Sequence, residues 1–430
     1  MKNRRYSIAP SFLSGLLLLP LLSSCSIIPT PSHAVTRNRA FISYTPPENS
    51  TQLRLAVKDL IDIKGQVTSA GSQYLSRNNP PATEDAECLA LARSRGVQIV
   101  GKTNLTEFAV TVSGKNRYFG TPVNRLDGKH KFIPGGSSSG AAVAVQDGMA
   151  DISFGTDTGG SIRIPAACCG VLGLKTTYGL VSTKGVFPIS PKHLDTVGPL
   201  ARDMTHLVQG MDLLQGGFAG RYRSAVAAEP SAGGIRIGRL YLDGTDPEID
   251  KAIDNKLAEK GFRVVRLSEA LKAKWKQAEK DGRAVAIGDA WLHDNQYTDK
   301  QGVGTTTKLV IAQGAQEYPN NFKAALQRQA GWQRELRRVF RKVDFIALPT
   351  MQSLPPKLPP FNASVAFELL VFNLQNTLAV NFAGNPALAI PVPMPVKEHA
   401  RPIVTSLQLI GPRLSEAQLL NAGRLLETKR

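Results

Sequence analysis

The chain has 430 residues, 42% of them hydrophobic and 20% charged, an ordinary globular balance that can bury a sizeable core. Its formal net charge of +18 would suit nucleic acid, anionic lipid or an acidic polymer, but the basic residues are scattered. The densest basic run, 334–342, has apolar residues at helical spacing and predicts an amphipathic helix with a solvated basic face, which argues against a nucleic-acid partner.

The first 24 residues have the layout of a secretory signal peptide. Residues 8–22 are mostly apolar, but this stretch is too short for a spanning helix of about 20 residues, and Pro20 interrupts it. The positive charge that precedes the stretch comes from Lys2, Arg4 and Arg5. We therefore expect export rather than a transmembrane helix.

The sequence Leu-Ser-Ser-Cys at 22–25 resembles a bacterial lipobox. In signals of that kind the cysteine, here Cys25, carries the lipid and becomes the mature N-terminus. The alternative is an ordinary signal peptide with a chance cysteine. Residues 25–38 then predict a lipid-anchored tether, and Ser26 favours the outer membrane over the inner one. The expected location is the periplasmic side of a bacterial cell envelope, with the membrane as a partner.

The other cysteines, Cys88, Cys168 and Cys169, predict buried free thiols. Adjacent cysteines fit disulfide geometry poorly, and no cysteine or histidine spacing indicates a metal site. Free thiols are unusual in an oxidising compartment, so they count slightly against export. We expect no metal and no cofactor.

In chain order, strand and helix patterns alternate and predict an α/β layered fold. The first elements are a strand at 53–57 ending at Lys58, a helix at 84–95 capped by Gly96, a strand at 97–100, a small-residue helix at 137–146, a strand at 152–154 and a turn at 156–161.

Residues 215–345 are more charged and more helical, which predicts an insertion or lid rather than an independent domain. Its expected helices span 248–259, 274–286 and 322–342. After residue 343 the earlier pattern returns, with strands at 345–348, 387–391 and 405–410 and a closing helix at 416–427.

Residues 96–103 fit the phosphate-binding pattern GxxxxGK[ST]. A helix precedes Gly96, however, and the four intervening residues are three aliphatics and a glutamine. That composition predicts a strand, so we do not expect a nucleotide site.

Residues 136–140 fit the nucleophile-elbow pattern GxSxG, with Ser138 as nucleophile. Pro134 and Gly135 spoil the strand that such an elbow needs. The elbow also needs a histidine, and none of the downstream candidates lies in a suggestive setting: His193, His206, His293 and His399. This alternative predicts that Ser138→Ala is inactive and Lys58→Ala active.

A third set of segments resembles the amidase signature family. It begins with the Gly-Gly-Ser-Ser-Ser-Gly run in 135–145 and continues through 155–166 and 170–179; further matches lie at 55–59, 101–109, 194–201, 384–388 and 407–411. The likeness covers about 53–205 and 343–427. It implies one α/β/α layered domain over 39–430, with a mixed central sheet covered by helices.

The resemblance implies a Ser–Ser–Lys triad. Ser161 is the expected nucleophile, Ser137 the bridging serine held by a cis peptide, and Lys58 the base. Lys58 must be neutral to accept a proton, and burial would lower its pKa from the ordinary value of about 10.4. The flanking Ala56 and Val57 fit a buried strand end.

The turn before Ser161 predicts the oxyanion hole, formed by Thr158, Gly159 and Gly160, because glycines let successive N–H groups point to one spot. Asp157, Arg163 and Ser138 are expected to support the site structurally.

The expected activity is cleavage of a small-molecule or peptide amide to an acid plus ammonia or an amine. The alternatives are an ester hydrolase on the same triad and a non-catalytic binding lipoprotein that keeps the fold. Family members that supply ammonia for tRNA amidation have an acidic residue near Asn381, whereas 372–380 contains none. Only about 33 mature residues precede Lys58, which leaves the oligomeric state open.

Overall fold

The computed structural model describes residues 38–48, 51–127, 129, 131–359, 364–373, 376–394 and 403–427. Cys25 and the predicted signal peptide lie outside these residues. No helix within the described ranges combines the length and the apolar composition that crossing a bilayer requires.

One mixed sheet of eleven strands runs through the described chain. Its strands are β1 (Phe41–Tyr44), β2 (Arg54–Lys58), β3 (Gln98–Thr103), β4 (Ile152–Asp157), β5 (Leu172–Lys175), β6 (Thr196–Ala201), β7 (Arg236–Arg239), β8 (Arg263–Arg266), β9 (Phe345–Pro349), β10 (Ala387–Met394) and β11 (Ile403–Ile410). Their order is β1-β3-β2-β4-β6-β5-β10-β11-β9-β7-β8. The pairs β2/β3, β2/β4, β7/β8 and β7/β9 are parallel, and the others are antiparallel.

Helices cover the sheet. They are α1 (Gln73–Asn78), α2 (Ala90–Ser94), α3 (Ser139–Gln146), α4 (Arg163–Cys169), α5 (Met204–Leu214), α6 (Phe218–Ala228), α7 (Pro247–Glu259), α8 (Glu269–Asp294), α9 (Thr305–Glu317), α10 (Lys323–Val339), α11 (Val365–Asn373), α12 (Leu378–Ala383) and α13 (Glu416–Leu426).

Alternation along β2 shows how the sheet separates two cores. Leu55 and Val57 pack into one cluster with α5, α6, α7 and α13, whereas Ala56 packs into another with α3 and α4. Successive side chains of a strand point to opposite faces, so a strand covered on both faces is apolar throughout. Helices α8, α10 and α12 form a further cluster. The predicted mixed sheet covered by helices is confirmed.

The predicted helix at 84–95 is shorter than expected. A 3₁₀ turn spans Glu87–Leu89 and α2 follows it. The reason is local pairing with the preceding loop, since Ala86 N–H donates to the Asp62 carbonyl (2.9 Å) and Asp85 accepts from Lys64 N–H (2.8 Å). Likewise α3 begins at Ser139 rather than at residue 137. The segment 96–103, which has the phosphate-binding pattern, contains the whole of β3 and thus forms a strand, as predicted.

Within 215–345 the three expected helices are α7, α8 and α10. The structure adds α6, which packs on α5 and α13, and α9, which packs on α8. It also adds β7 and β8, which extend the sheet beyond β9. Little in the residue pattern indicates β8, because all of its residues are exposed and no apolar alternation marks them.

The three described cysteines are buried and free, as predicted. Burial raises the pKa of the Cys88 thiol to about 12 and those of Cys168 and Cys169 well above the ordinary value. These thiols therefore stay protonated and unreactive.

Candidate active site

The carboxyl ends of β2 and β4 meet at one edge of the sheet, because these two strands are paired and parallel. Lys58 is the last residue of β2, and β4 ends at Asp157. The turn that leads from β4 into α4 carries Ser161. Such an edge brings residues from distant parts of a chain together.

Lys58 is fully buried, and its Nζ lies 2.7 Å from Ser137 Oγ and 2.7 Å from Thr156 Oγ1. Burial lowers the pKa of this lysine to about 7, although the charges of Asp157 and Asp195 oppose the shift. The amine is therefore substantially neutral near pH 7. Sequence reasoning placed Thr156 in the turn but missed it as a partner of Lys58.

Ser137 is also fully buried, and the Gly136–Ser137 peptide is cis. The carbonyl of Ser137 accepts hydrogen bonds from Thr106 N–H (3.3 Å) and Ser139 N–H (2.9 Å). Gly136 packs tightly here, because a Cβ on it would come within 2.9 Å of Gly114 N. The backbone contacts thus hold the hydroxyl of Ser137 toward Lys58.

Ser161 lies beside this serine run. Its carbonyl accepts a hydrogen bond from Ser138 N–H at 3.1 Å, so the two segments that carry Ser137 and Ser161 are in direct contact. Ser161 is 5% exposed and, with Thr158 and Gly159, lines a cavity. The structure thus brings all three predicted triad residues to one end of the sheet.

Two buried side chains, Asp157 and Arg163, stabilise the turn between β4 and α4. The Asp157 carboxylate accepts from Gly160 N–H (2.7 Å), Ile162 N–H (3.1 Å) and the guanidinium of Arg163 (2.9 and 3.0 Å). Burial would raise the pKa of this carboxyl, but Arg163 holds it well below the ordinary range. Because Gly160 N–H already donates to Asp157, this amide supports the turn in the conformation described.

Arg163 also reaches across to α12 and β11. Its Nη1 donates to the Thr377 carbonyl (3.1 Å) and to Gln408 Oε1 (2.5 Å), and its Nη2 donates to Asn381 Oδ1. The sequence did not single out Gln408 or Asn381 as partners. Gln408 lies in the matched segment 407–411 and Asn381 lies just before the match at 384–388, but nothing in the residue pattern indicates that either side chain contacts Arg163.

The Thr158 side chain is hydrogen-bonded to Asp195, a residue that the sequence analysis did not predict as part of the site. Its Oγ1 donates to Asp195 Oδ1 at 2.6 Å, and Asp195 Oδ2 accepts from the N–H groups of Ile189 and Ser190, both at 3.0 Å. Burial raises the pKa of Asp195. Asp195 lies in the segment 194–201, which resembles the amidase signature family, and this resemblance is the sequence signal that could have identified it.

The nucleophile-elbow alternative does not fit this geometry. No strand leads into Ser138, whose buried Oγ donates to the Thr156 carbonyl at 3.3 Å. His193 binds Asp289 (2.7 Å) and His206 binds Asp203 (2.7 Å). The Ser138 hydroxyl is thus hydrogen-bonded to the backbone of β4 rather than to a histidine. Within the described ranges, no group of three or more potential ligands is placed to hold a metal ion.

Comparison with known proteins agrees with this architecture. The family model described as Amidase matches residues 53–420. A glutamyl-tRNA(Gln) amidotransferase subunit from Halobacterium salinarum is 30% identical over 424 residues, covering 87% of this chain and 94% of the relative. A crystal structure of an amidase superposes with a TM-score of 0.71 at 28% identity, covering 87% of this chain and 83% of the other. The corresponding amidotransferase subunit of Thermotoga maritima has a TM-score of 0.71 at 25% identity, covering 90% and 87%.

Proposed function

This chain belongs to the amidase family, and we propose that it cleaves carboxylic amides through an acyl-enzyme on Ser161, with Lys58 as the base acting through Ser137. The family and its relatives support amide C–N cleavage. The observation that carries the finer assignment is the buried Lys58 amine, 2.7 Å from Ser137 Oγ and with a pKa of about 7. A neutral amine in that position can accept a proton.

The proposed reaction transfers two protons in a relay, one from Ser161 to Ser137 and one from Ser137 to Lys58. Ser161 Oγ attacks the amide carbonyl carbon and passes its proton to Ser137 Oγ, while Ser137 passes its own proton to Lys58 Nζ. As the C–N bond breaks, the proton returns through Ser137 to the leaving nitrogen, and the acyl group stays on Ser161. Water then attacks the ester by the same relay and releases the acid.

The developing oxyanion needs hydrogen-bond donors that are already in place. Thr158 and Gly159 line the cavity beside Ser161, so we assign their N–H groups as donors. Asp157 and Arg163 act as positioning residues because their ion pair fixes the turn that carries these groups. Removing one such donor lowers a rate by about 10²–10³-fold.

The experiment measures ammonia or amine release from a panel of aliphatic, aromatic, peptide and fatty-acyl amides. The chain from Ser26 onward is compared with its Ser161→Ala variant, and Ser138→Ala is the matched serine control. We expect turnover by the parent, a loss of at least about 10³-fold in Ser161→Ala, and a folded, active Ser138→Ala. Activity that survives in Ser161→Ala and disappears in Ser138→Ala would contradict the assignment.

We also propose that Cys25 anchors the chain to the cell envelope. The support is the order of basic residues, apolar stretch and Leu-Ser-Ser-Cys in the leader. In a bacterial host, the full chain should incorporate an alkynyl fatty acid and sediment with membranes, and Cys25→Ser should lose the label. Equal labelling of both forms would refute the anchor.

A further inference from the structure

The cavity beside Ser161 is walled mainly by apolar side chains. Among the described residues that line it, Thr158 and Ser161 are the only ones with polar side chains, and none carries a charge. The apolar wall includes Ile189, Ala286, Ala290, Val310, Ile311 and Phe372. A charged group placed there would lose its hydration without gaining a partner, whereas an alkyl or aryl group would gain by leaving water.

From this wall we infer that the enzyme selects amides whose acyl group is apolar and uncharged, an inference that rests on the proposed function. The acyl side is assigned because the acyl group stays attached to Ser161 while the amine departs. Since Ser161 itself lines the cavity, a retained acyl chain lies against the apolar wall.

The wall opposite the catalytic core comes from α8 and α9. Ala286 and Ala290 lie one turn apart on α8 and leave space for the substrate. The two helices approach closely at Gly314, where a Cβ would lie 2.2 Å from Trp291 Cβ. This contact fixes the distance between the walls, so residues within 215–345 set the shape of the acyl pocket.

Arg283 is a cation that lies outside the apolar wall. The guanidinium of Arg283 is 4.8 Å from the centre of the Phe372 ring. If this charge reached the substrate, the enzyme would prefer an amide whose acyl group ends in a carboxylate. The experiment therefore includes such a substrate.

The test compares kcat/KM for acetamide, hexanamide, the monoamide of glutaric acid, glutamine and N-hexylacetamide. We expect hexanamide to exceed acetamide by roughly 100-fold and to exceed both charged amides by at least about 100-fold. A preference for glutarate monoamide or glutamine overturns the inference, as does a preference for N-hexylacetamide, which would place the apolar group on the amine side.

Two variants test the wall directly. Ala290→Leu should reduce the ratio of hexanamide to acetamide by about 10-fold or more, and exposed Ala273→Leu on the same helix is the matched control. Val310→Arg, at a half-buried position that lines the cavity, should shift preference toward glutarate monoamide. Unchanged ratios in both folded variants overturn the inference.

The outcomes separate the inference from the proposed function. If the parent cleaves charged and apolar amides alike and Ser161→Ala does not, the substrate class is wrong and the function stands. If no amide is cleaved and a serine-reactive fluorophosphonate does not label Ser161, the proposed function itself fails.

Discussion

A lysine without exposed surface is the residue on which the proposed mechanism depends. Lys58 has lost its hydration, and its neighbours at 2.7 Å are two hydroxyls rather than a carboxylate. By contrast, buried Lys102 lies 2.7 Å from Asp59 and forms an ion pair. Environment rather than residue type makes Lys58 the candidate base.

The pH dependence of kcat/KM should follow the ionisation of Lys58. The neutral amine is the active form and its pKa is about 7, so activity should rise about tenfold per pH unit below 7 and level off above it. The profile is measured on the best substrate of the panel between pH 5 and 9, where the Ser138→Ala control should show the same midpoint. A flat profile, or one that falls as pH rises through 7, would contradict Lys58 as base.

The buried lysine should also lower the stability of the fold. Folding depresses its pKa from 10.5 to about 7, so the unfolded chain binds the extra proton and this contribution destabilises most at low pH. The variant Lys58→Met should therefore have a free energy of unfolding about 1–3 kcal/mol higher than that of the wild type at pH 7. This range already allows for the hydrogen bonds that the substitution removes.

Urea unfolding measures this difference. The gain should shrink as pH rises from 7 toward 10.5, because the wild-type unfolded chain then also loses its proton. A gain that grows with pH, or a destabilised Lys58→Met at pH 7, would be inconsistent with an amine whose charged form is destabilised by burial.

The resemblance to the amidase signature family predicted the three triad positions, and the structure brings them to the same end of the sheet. The sequence did not identify the contacts made by Thr156, Asp195, Asn381 or Gln408. These side chains contact the site across long sequence separations, such as the 245 residues between Arg163 and Gln408. Side-chain contacts of that kind depend on the order of the strands in the sheet, and a local residue pattern does not reveal that order.

The stability of one element, the turn between β4 and α4, depends on a pair of buried charged side chains. Arg163 and Asp157 are both fully buried, and each satisfies several groups besides the other. Removing one member leaves the other charge buried without its partner, which is more destabilising than removing both.

Arg163→Met should therefore lower the free energy of unfolding by about 3–5 kcal/mol at pH 7. The double variant Arg163→Met/Asp157→Asn should lose less than the sum of the two single variants. Arg125, which is half exposed and lies 3.3 Å from Asp147, is the surface control, and Arg125→Ala should change stability by less than about 1 kcal/mol. Additive effects at 157 and 163 in urea unfolding would disprove the coupling.

Element boundaries were predictable where an apolar pattern and a capping residue coincide. The start of β4 and the end of α3 were placed within a residue or so, and Gly96 follows α2 with a positive φ of 62°. The start of α2 was wrong because Ala86 pairs with Asp62 rather than with its own helix. β8 was missed because it is an exposed edge strand.

At the scale of the whole molecule, the chemistry and the proposed substrate choice come from different parts of the chain. The strand ends and serine-rich segments between Lys58 and Arg163 form the proposed reacting centre, whereas α8 and α9 form much of the apolar wall of the cavity. The resemblance of the core made the fold predictable. The 215–345 segment resembled nothing recognisable, so its wall residues emerged only from the structure.

The most direct test of the central claim is to locate the reactive serine. The folded chain is treated with a fluorophosphonate and digested, and the labelled peptide is identified by mass spectrometry. The proposed mechanism predicts one adduct, on Ser161, that is lost in Lys58→Ala and retained in Ser138→Ala. An adduct on Ser138, or on Ser161 with an undiminished rate in Lys58→Ala, would contradict it.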